Sequence, residues 1–275
     1  VGGVTTNPLH SIAQCACPIA VDVGNSAIKF AWRVEPSQPL RSVSLLLHDP
    51  DWVNTLTSLC AATWNSQQLG RSTLRTWLVA SVNAKGLAVL KSVIAESFPD
   101  DPWCELSRHD FPLPVDLDYP DRVGIDRLIG AWAATEIAQQ GTLISIDAGS
   151  AITVDLTVDY RFQGGAILPG LSLQLAALHR GTDRLPIVQL DQHAPCGLPG
   201  RNTEMAIRGG ILYGIAGAID RILSEYEREL GERLPVISTG GDMALIQRFL
   251  EHAPLFQPHL LLAGILHRAT QLQVK

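Results

Sequence analysis

Apolar and polar positions along the chain switch repeatedly between a two-residue period and a three-to-four-residue period. From Ile19 the pattern is strand-like to Val23, breaks at Gly24-Asn25-Ser26, and resumes as a second strand over Ala27–Trp32. Ser42–Leu47 predicts a third strand. Apolar residues at helical spacing follow in 51–63, then a strand at Thr76–Val82 and helices at 84–97 and 124–140. The second half restarts the series. Leu143–Ile146 is apolar, a Gly149-Ser150 turn follows, and Ile152–Val158 and Phe162–Leu168 predict strands. Helices at 170–179 and 203–230, a strand at 235–239, and helices at 241–252 and 258–272 complete it. Extended runs alternating with helices predict an α/β layer fold.

The two halves open alike. Val21-Asp22-Val23-Gly24-Asn25-Ser26-Ala27-Ile28 and Ile146-Asp147-Ala148-Gly149-Ser150-Ala151-Ile152 both read apolar-Asp-x-Gly and then Ser-Ala-Ile, with one extra residue in the first. A tandem duplication accounts for this. It predicts an extension at 1–17, a first lobe at 18–141 and a second at 142–275.

Each hairpin puts an aspartate at a strand end and a glycine in the turn beyond it. Glycine lets backbone approach a ligand closely, and the neighbouring N–H groups with the Asn25, Ser26 and Ser150 side chains can donate to phosphate oxygens. The aspartates suit a counter-cation and its waters, and Lys29 can offset developing phosphoryl charge. Two ordinary hairpins with solvated turns are the bland alternative; their repetition at the start of two similar units favours the ligand. Gly240-Gly241-Asp242 reads equally as a bare surface for adenine or ribose and as a plain strand-to-helix turn. Gly164-Gly165 and Pro169-Gly170 show only tight turns.

The stretch Tyr119-Pro120-Asp121-Arg122-Val123-Gly124-Ile125-Asp126-Arg127 delivers an Asp-Arg pair to the start of an apolar helix. A carboxylate there can accept a hydroxyl proton and the guanidinium can hold a polar substrate. Capping of the helix dipole is the alternative.

Composition narrows the partners. A hydrophobic share of 46% in 275 residues is ample for a packed core, and a net charge of −6 gives no general attraction for nucleic acid or anionic membrane. No apolar run approaches the roughly 20 residues of a membrane span, and the segment before Pro18 lacks a signal peptide's basic start. Five scattered cysteines (15, 17, 60, 104, 196) suit thiols in a reducing cytoplasm. Cys15-x-Cys17 has no second metal-ligating pair at zinc spacing, and the eight histidines show no triad spacing.

Together these pieces resemble the type III pantothenate kinases of the acetate/sugar kinase, Hsp70 and actin superfamily. The resemblance runs from Asp22 to about Ala269 and rests on the order of Asp22–Lys29, Tyr119-Pro120, Gly124–Arg127, Asp147–Thr153, Gly164–Gly170, Asn202-Thr203 and Thr239–Asp242. It implies two duplicated ribonuclease-H-like lobes with an interlobe cleft. Asp22, Val23, Gly24, Asn25, Ser26, Ala27, Ile28 and Lys29 would bind ATP phosphates, with Asp22 reaching Mg²⁺ through water, and Ser150, Gly240 and Gly241 would add ATP contacts. Tyr119, Gly124, Ile125, Asp126 and Arg127 would bind pantothenate, with Asp126 the proton acceptor. Asp147 would hold a monovalent cation, K⁺ or NH₄⁺, and Thr203 would reach pantothenate from the partner subunit of a homodimer. Three departures stand out: a short Tyr119–Gly124 loop, Ile125 in place of a small residue, and Ser150 in place of Thr. The resemblance implies phosphorylation of pantothenate to 4′-phosphopantothenate, the first step of coenzyme A synthesis. Another small-metabolite kinase of the superfamily and a non-catalytic accessory protein are the competing readings; Asp22, Asp126 and Asp147 are all present, which the accessory reading does not expect.

Overall fold

The protein is described by a computed structural model over residues 17–33, 38–64, 75–192 and 195–273. Apart from Cys17, the extension expected at 1–17 lies outside these residues.

In the first sheet, β1 (Cys17–Val23) pairs antiparallel with β2 (Ala27–Trp32), which pairs antiparallel with β3 (Arg41–Leu46). On its other side β1 pairs parallel with β4 (Arg75–Ser81), and β4 with β5 (Trp103–Glu105), so the order is β3-β2-β1-β4-β5. Ile19, Val21 and Val23 point to one face with Ile28, Phe30, Trp77 and Val79. That face is covered by α1 (Trp52–Leu59) and α2 (Ala84–Ser97) through Leu56, Leu90, Val93 and Ile94. Burying Phe30, Leu56 and Leu90 contributes about 1.5–3 kcal/mol per side chain. Ala20 and Ala31 are cross-strand partners on the opposite face, where α7 (Leu260–Gln273) packs on β1 and β2.

The second sheet repeats the plan. Here β6 (Leu143–Ala148) is central, antiparallel to β7 (Ala151–Val158), which is antiparallel to β8 (Arg161–Pro169). β6 also runs parallel to β9 (Val236–Thr239), and β9 to β10 (Leu255–Phe256). The order β8-β7-β6-β9-β10 is that of the first sheet, with β6 in the place of β1. The helix α3 (Ile125–Ala138) precedes β6, and α4 (Leu171–Arg180) follows β8. α5 (Thr203–Leu230) lays Ile207, Ile211, Ile215, Ile219 and Leu223 against the sheet. Its ends are well marked: Asn202 Oδ1 accepts from Met205 N at 2.8 Å, and Gly231 closes it at φ +75°.

The chain divides into two units. Among the described residues, one holds those from Cys17 to Pro112 with Arg122–Ala133 and 260–273; the other holds Leu113–Asp121 and those from Ala134 to His259. Residues 260–273, which a linear reading assigns to the second lobe, therefore pack in the first unit. Leu260, Leu261, Leu262, Ile265 and Leu266 form an apolar stripe that needs the open face of β1 and β2.

The helix expected at 241–252 is shorter than its pattern suggests. α6 (Met243–Ile246) gives way to a 3₁₀ turn at Gln247–Phe249. Beyond it Glu251 N and His252 N donate to the Asp220 carboxylate at 2.9 and 3.2 Å, so α5 takes the amides that a longer helix would use. The strands β5 and β10 are three and two residues long, too short to show a period.

Candidate functional site

Asp22 and Lys29 are cross-strand partners at the end of β1, so both side chains leave the same face of the sheet. Asp22 is largely buried, and Lys29 Nζ lies 3.6 Å from its Oδ2. With the lysine 41% exposed, such a pair contributes at most about 1 kcal/mol. An arriving phosphate can therefore share the ammonium at little cost. In the turn, Gly24 N donates to Ala27 O at 3.0 Å and Leu47 N to Ser26 O at 2.9 Å. The Gly24 amide is thus committed to the turn, and the exposed Asn25 and Ser26 are what it presents to a ligand.

Gly124–Arg127 comes to the same end of this sheet. Val82, just past β4, donates its amide to Val23 O at 3.1 Å, and a Cβ built at Gly124 would sit 3.9 Å from Val82 Cγ1. That same Cβ would collide with Asp126 Oδ1, so glycine makes room for the carboxylate. Asp126 is half-buried in the first turn of α3, where Oδ1 accepts from Arg127 N at 2.9 Å. One oxygen thus meets an amide of the helix's first turn, where a carboxylate also offsets the dipole. Ile125 is the first residue of the helix and half-buried beside it.

In the second unit Asp147 stands at the place of Asp22, with Thr153 where the first sheet has Lys29 and Thr239 on the parallel side. Three turns close around the end of β6. Gly149 N donates to Ala151 O at 3.0 Å, Gly170 N to Ser150 O at 3.2 Å, and Asp242 N to Ala148 O at 3.0 Å. Gly170 has no room for a Cβ against the Gly149 and Ser150 carbonyls, nor has Gly240, at φ +97°, against the Ala148 backbone. Gly240 is therefore demanded by its own fold, whereas Gly241 faces open space.

Burial pushes the Asp242 carboxyl above its ordinary range; the Leu171 amide opposes this, and the charge of Asp147 adds to it. Beside Asp242 lies a cavity of about 530 Å³ lined by Leu171, Leu175, His179, Ile187 and Leu190. Its size and mixed lining suit a small heterocyclic ligand.

Asp22–Lys29 and Gly124–Arg127 are thus together in one unit, and Asp147, Ser150, Gly240 and Gly241 together in the other. Tyr119 is 65% exposed on the loop before α3, and Thr203 is exposed at the start of α5. Two contributors escaped the sequence pattern. Asp242 was visible only as part of a glycine turn, and Asn83, which touches the first hairpin, carries no local signal beyond its place before a helix.

A repeated β3-β2-β1-β4-β5 sheet with an Asp-x-Gly hairpin at each centre defines an α/β protein of the acetate/sugar kinase, Hsp70 and actin superfamily. In fold it is similar to a Baf family protein from Campylobacter jejuni, with a TM-score of 0.57 over 92% of this chain and 98% of that one at 18% identity. The family model for type III pantothenate kinase matches residues 18–225, and the chain belongs to that family. It is 37% identical to the type III pantothenate kinase of Rhodopirellula baltica over 90% of this chain and 97% of the relative, and 31% identical to that of Rubrobacter xylanophilus over 90% and 95%.

Proposed function

We infer that the protein catalyses ATP-dependent phosphorylation of pantothenate, the first step of coenzyme A synthesis. The observation that carries this beyond family membership is the convergence of Asp22–Lys29 and Gly124–Arg127 on one sheet end. A glycine turn with exposed polar side chains, suited to phosphate, and a carboxylate suited to take a hydroxyl proton support this reading.

Phosphoryl transfer asks little covalent chemistry of the protein, so positioning and charge carry the reaction. Asn25, Ser26 and Lys29 hold phosphate oxygens; Arg127 and Tyr119 orient pantothenate. Asp126 accepts the proton as the 4′-hydroxyl oxygen bonds to the γ-phosphorus and the bond to ADP breaks. Asp22 and the turn's oxygens are hard donors of the kind Mg²⁺ prefers, and the ion, when bound, offsets phosphate charge. Asp147 with its threonine neighbours offers the oxygen-rich surroundings that K⁺ or NH₄⁺ takes. The nucleoside occupies the cavity beside Asp242 and Gly241, with Ser150 on the phosphates. The active form is a homodimer in which Thr203 serves the partner's substrate. Among the described residues Cys17, Cys60 and Cys104 are buried thiols, which suits a reducing cytoplasm, and no helix is long and apolar enough to cross a membrane.

The test is formation of phosphopantothenate from ATP, Mg²⁺ and pantothenate by purified protein, beside a panel of other small alcohols and carboxylates. Turnover should be confined to pantothenate and rise several-fold when K⁺ or NH₄⁺ replaces Na⁺ at matched ionic strength. Phosphorylation of a different acceptor would overturn the assignment, and equal rates in the three salts would remove the monovalent site.

A further inference from the structure

Asn83 stands where β4 gives way to α2, and both ends of its side chain are engaged. Oδ1 accepts from Gly86 N at 3.0 Å, which makes Asn83 the N-cap of α2. With the oxygen so committed, the amide nitrogen faces the hairpin, and Nδ2 donates to the Gly24 carbonyl at 3.2 Å. The backbone of Asn83 is itself clamped. Ser81 Oγ accepts from Asn83 N at 3.1 Å and donates to Asn83 O at 3.2 Å.

Capping alone needs only an acceptor, and serine or aspartate would serve as well. The second half of the interaction needs an amide. Gly24 O and Asn25 N–H belong to one trans peptide plane and point in opposite directions. Glycine's freedom would let that plane turn over and aim a carbonyl, rather than an N–H, at an arriving phosphate. Holding Gly24 O against Asn83 keeps the Asn25 N–H facing away from it, out of the turn. One residue earlier both units close with backbone alone, Val82 N donating to Val23 O and Asp242 N to Ala148 O, so the Asn83 tie to Gly24 O is an addition in the first unit. The first turn, Gly24-Asn25-Ser26, is one residue longer than Gly149-Ser150, and the Asn83 side chain holds its first carbonyl.

We propose that Asn83 is a positioning residue for the phosphoryl donor: it ties the Gly24 carbonyl to the capped end of α2 and so aims the Asn25 amide at phosphate. This rests on the reading that the first hairpin holds ATP phosphates.

Asn83→Ser and Asn83→Asp both retain a cap for Gly86 N and both lose the donor to Gly24 O. In steady-state assays KM for ATP should rise about fivefold or more in each, as loss of one hydrogen bond implies. KM for pantothenate and the melting temperature should stay near those of the parent protein. Asp22→Asn is the companion that tests the hairpin itself. If it raises KM for ATP and Asn83→Ser does not, the positioning role is overturned and the hairpin reading survives. If neither moves KM for ATP, both fall. A rise in Asn83→Asp alone would be a charge effect, and equal rises for both substrates would be loss of structure; either overturns the proposal.

Discussion

Asp126 meets one amide of the first helical turn with Oδ1, so the proposed catalytic role and a purely structural one must be separated by the step each affects. Asp126→Asn keeps the shape and an acceptor for Arg127 N but removes the proton acceptor. A positioned base is worth about 10²–10⁴-fold, so kcat should fall by that order in single-turnover phosphorylation at saturating substrates. Loss of a cap would instead cost about 1 kcal/mol of stability and leave turnover in the folded protein intact. Asp242 carries a different prediction. Its carboxyl is held above the ordinary value of 3.8, so the native state binds its proton more tightly than the unfolded chain. The stability this confers is complete below about pH 4 and is lost as pH rises through the raised value. Asp242→Asn should therefore melt higher than the parent protein at pH 7, with the difference shrinking as pH falls towards 4, as thermal scans at both values would show. Asp22, Asp126 and Asp147 stood out as candidates in the sequence because each sits in a glycine-marked motif at an element's end. Asn83 and Asp242 act through partners far away in sequence, which no local pattern records.

α5 was legible from end to end, because an asparagine cap, a regular apolar stripe and a terminal glycine all agree over Thr203–Leu230. What its polar side does was not. Asp220 and Glu227 point to His252: Nδ1 lies 2.8 Å from Asp220 Oδ1 and Nε2 3.4 Å from Glu227 Oε2. Burial works against the charge of Glu227, yet the Leu234 amide, His252 and Arg233 outweigh it and hold the group below its ordinary value of 4.5. A depressed carboxylate stabilises above its unfolded value and loses that contribution as pH falls through the folded one. Glu227→Gln should thus cost about 1–3 kcal/mol at pH 7 and progressively less below pH 4.5, measured by denaturant midpoints across that range. The same cluster explains the short α6. Its apolar pattern ran on past Ile246, but the Asp220 carboxylate on α5 claimed the amides of Glu251 and His252.

The small residues of α5 bear on assembly. The spacing of Ala206, Ile207, Gly210, Ile211, Gly214, Ile215, Ala218 and Ile222 fits either a dimer face or the protein's own core, and the structure divides the set. Ile207, Ile211 and Ile215 are buried in the core, while Ala206, Gly210 and Gly214 are exposed. A Cβ at Gly210 or Gly214 would meet nothing within 4 Å in one chain. Gly214→Leu should therefore leave the fold intact, and even favour the helix by about 0.5–1 kcal/mol. If two chains meet here, sedimentation at micromolar concentration should show the mutant shifted to monomer with activity reduced; an unchanged dimer would move the interface elsewhere.

Periodicity and the repeated Asp-x-Gly opening were enough to establish an α/β chain built twice over, because strand and helix periods are local and a duplication leaves the same word in two places. The ordered motifs were likewise enough to establish the family. Three things were settled only by folding: that both sheets share one strand order, that residues 260–273 return to the first sheet, and that a helix-capping asparagine reaches the first hairpin. Each depends on residues distant in the chain meeting across a packed face, and pairing of that kind is decided by which apolar surfaces and backbone groups remain to be satisfied once the local elements have formed.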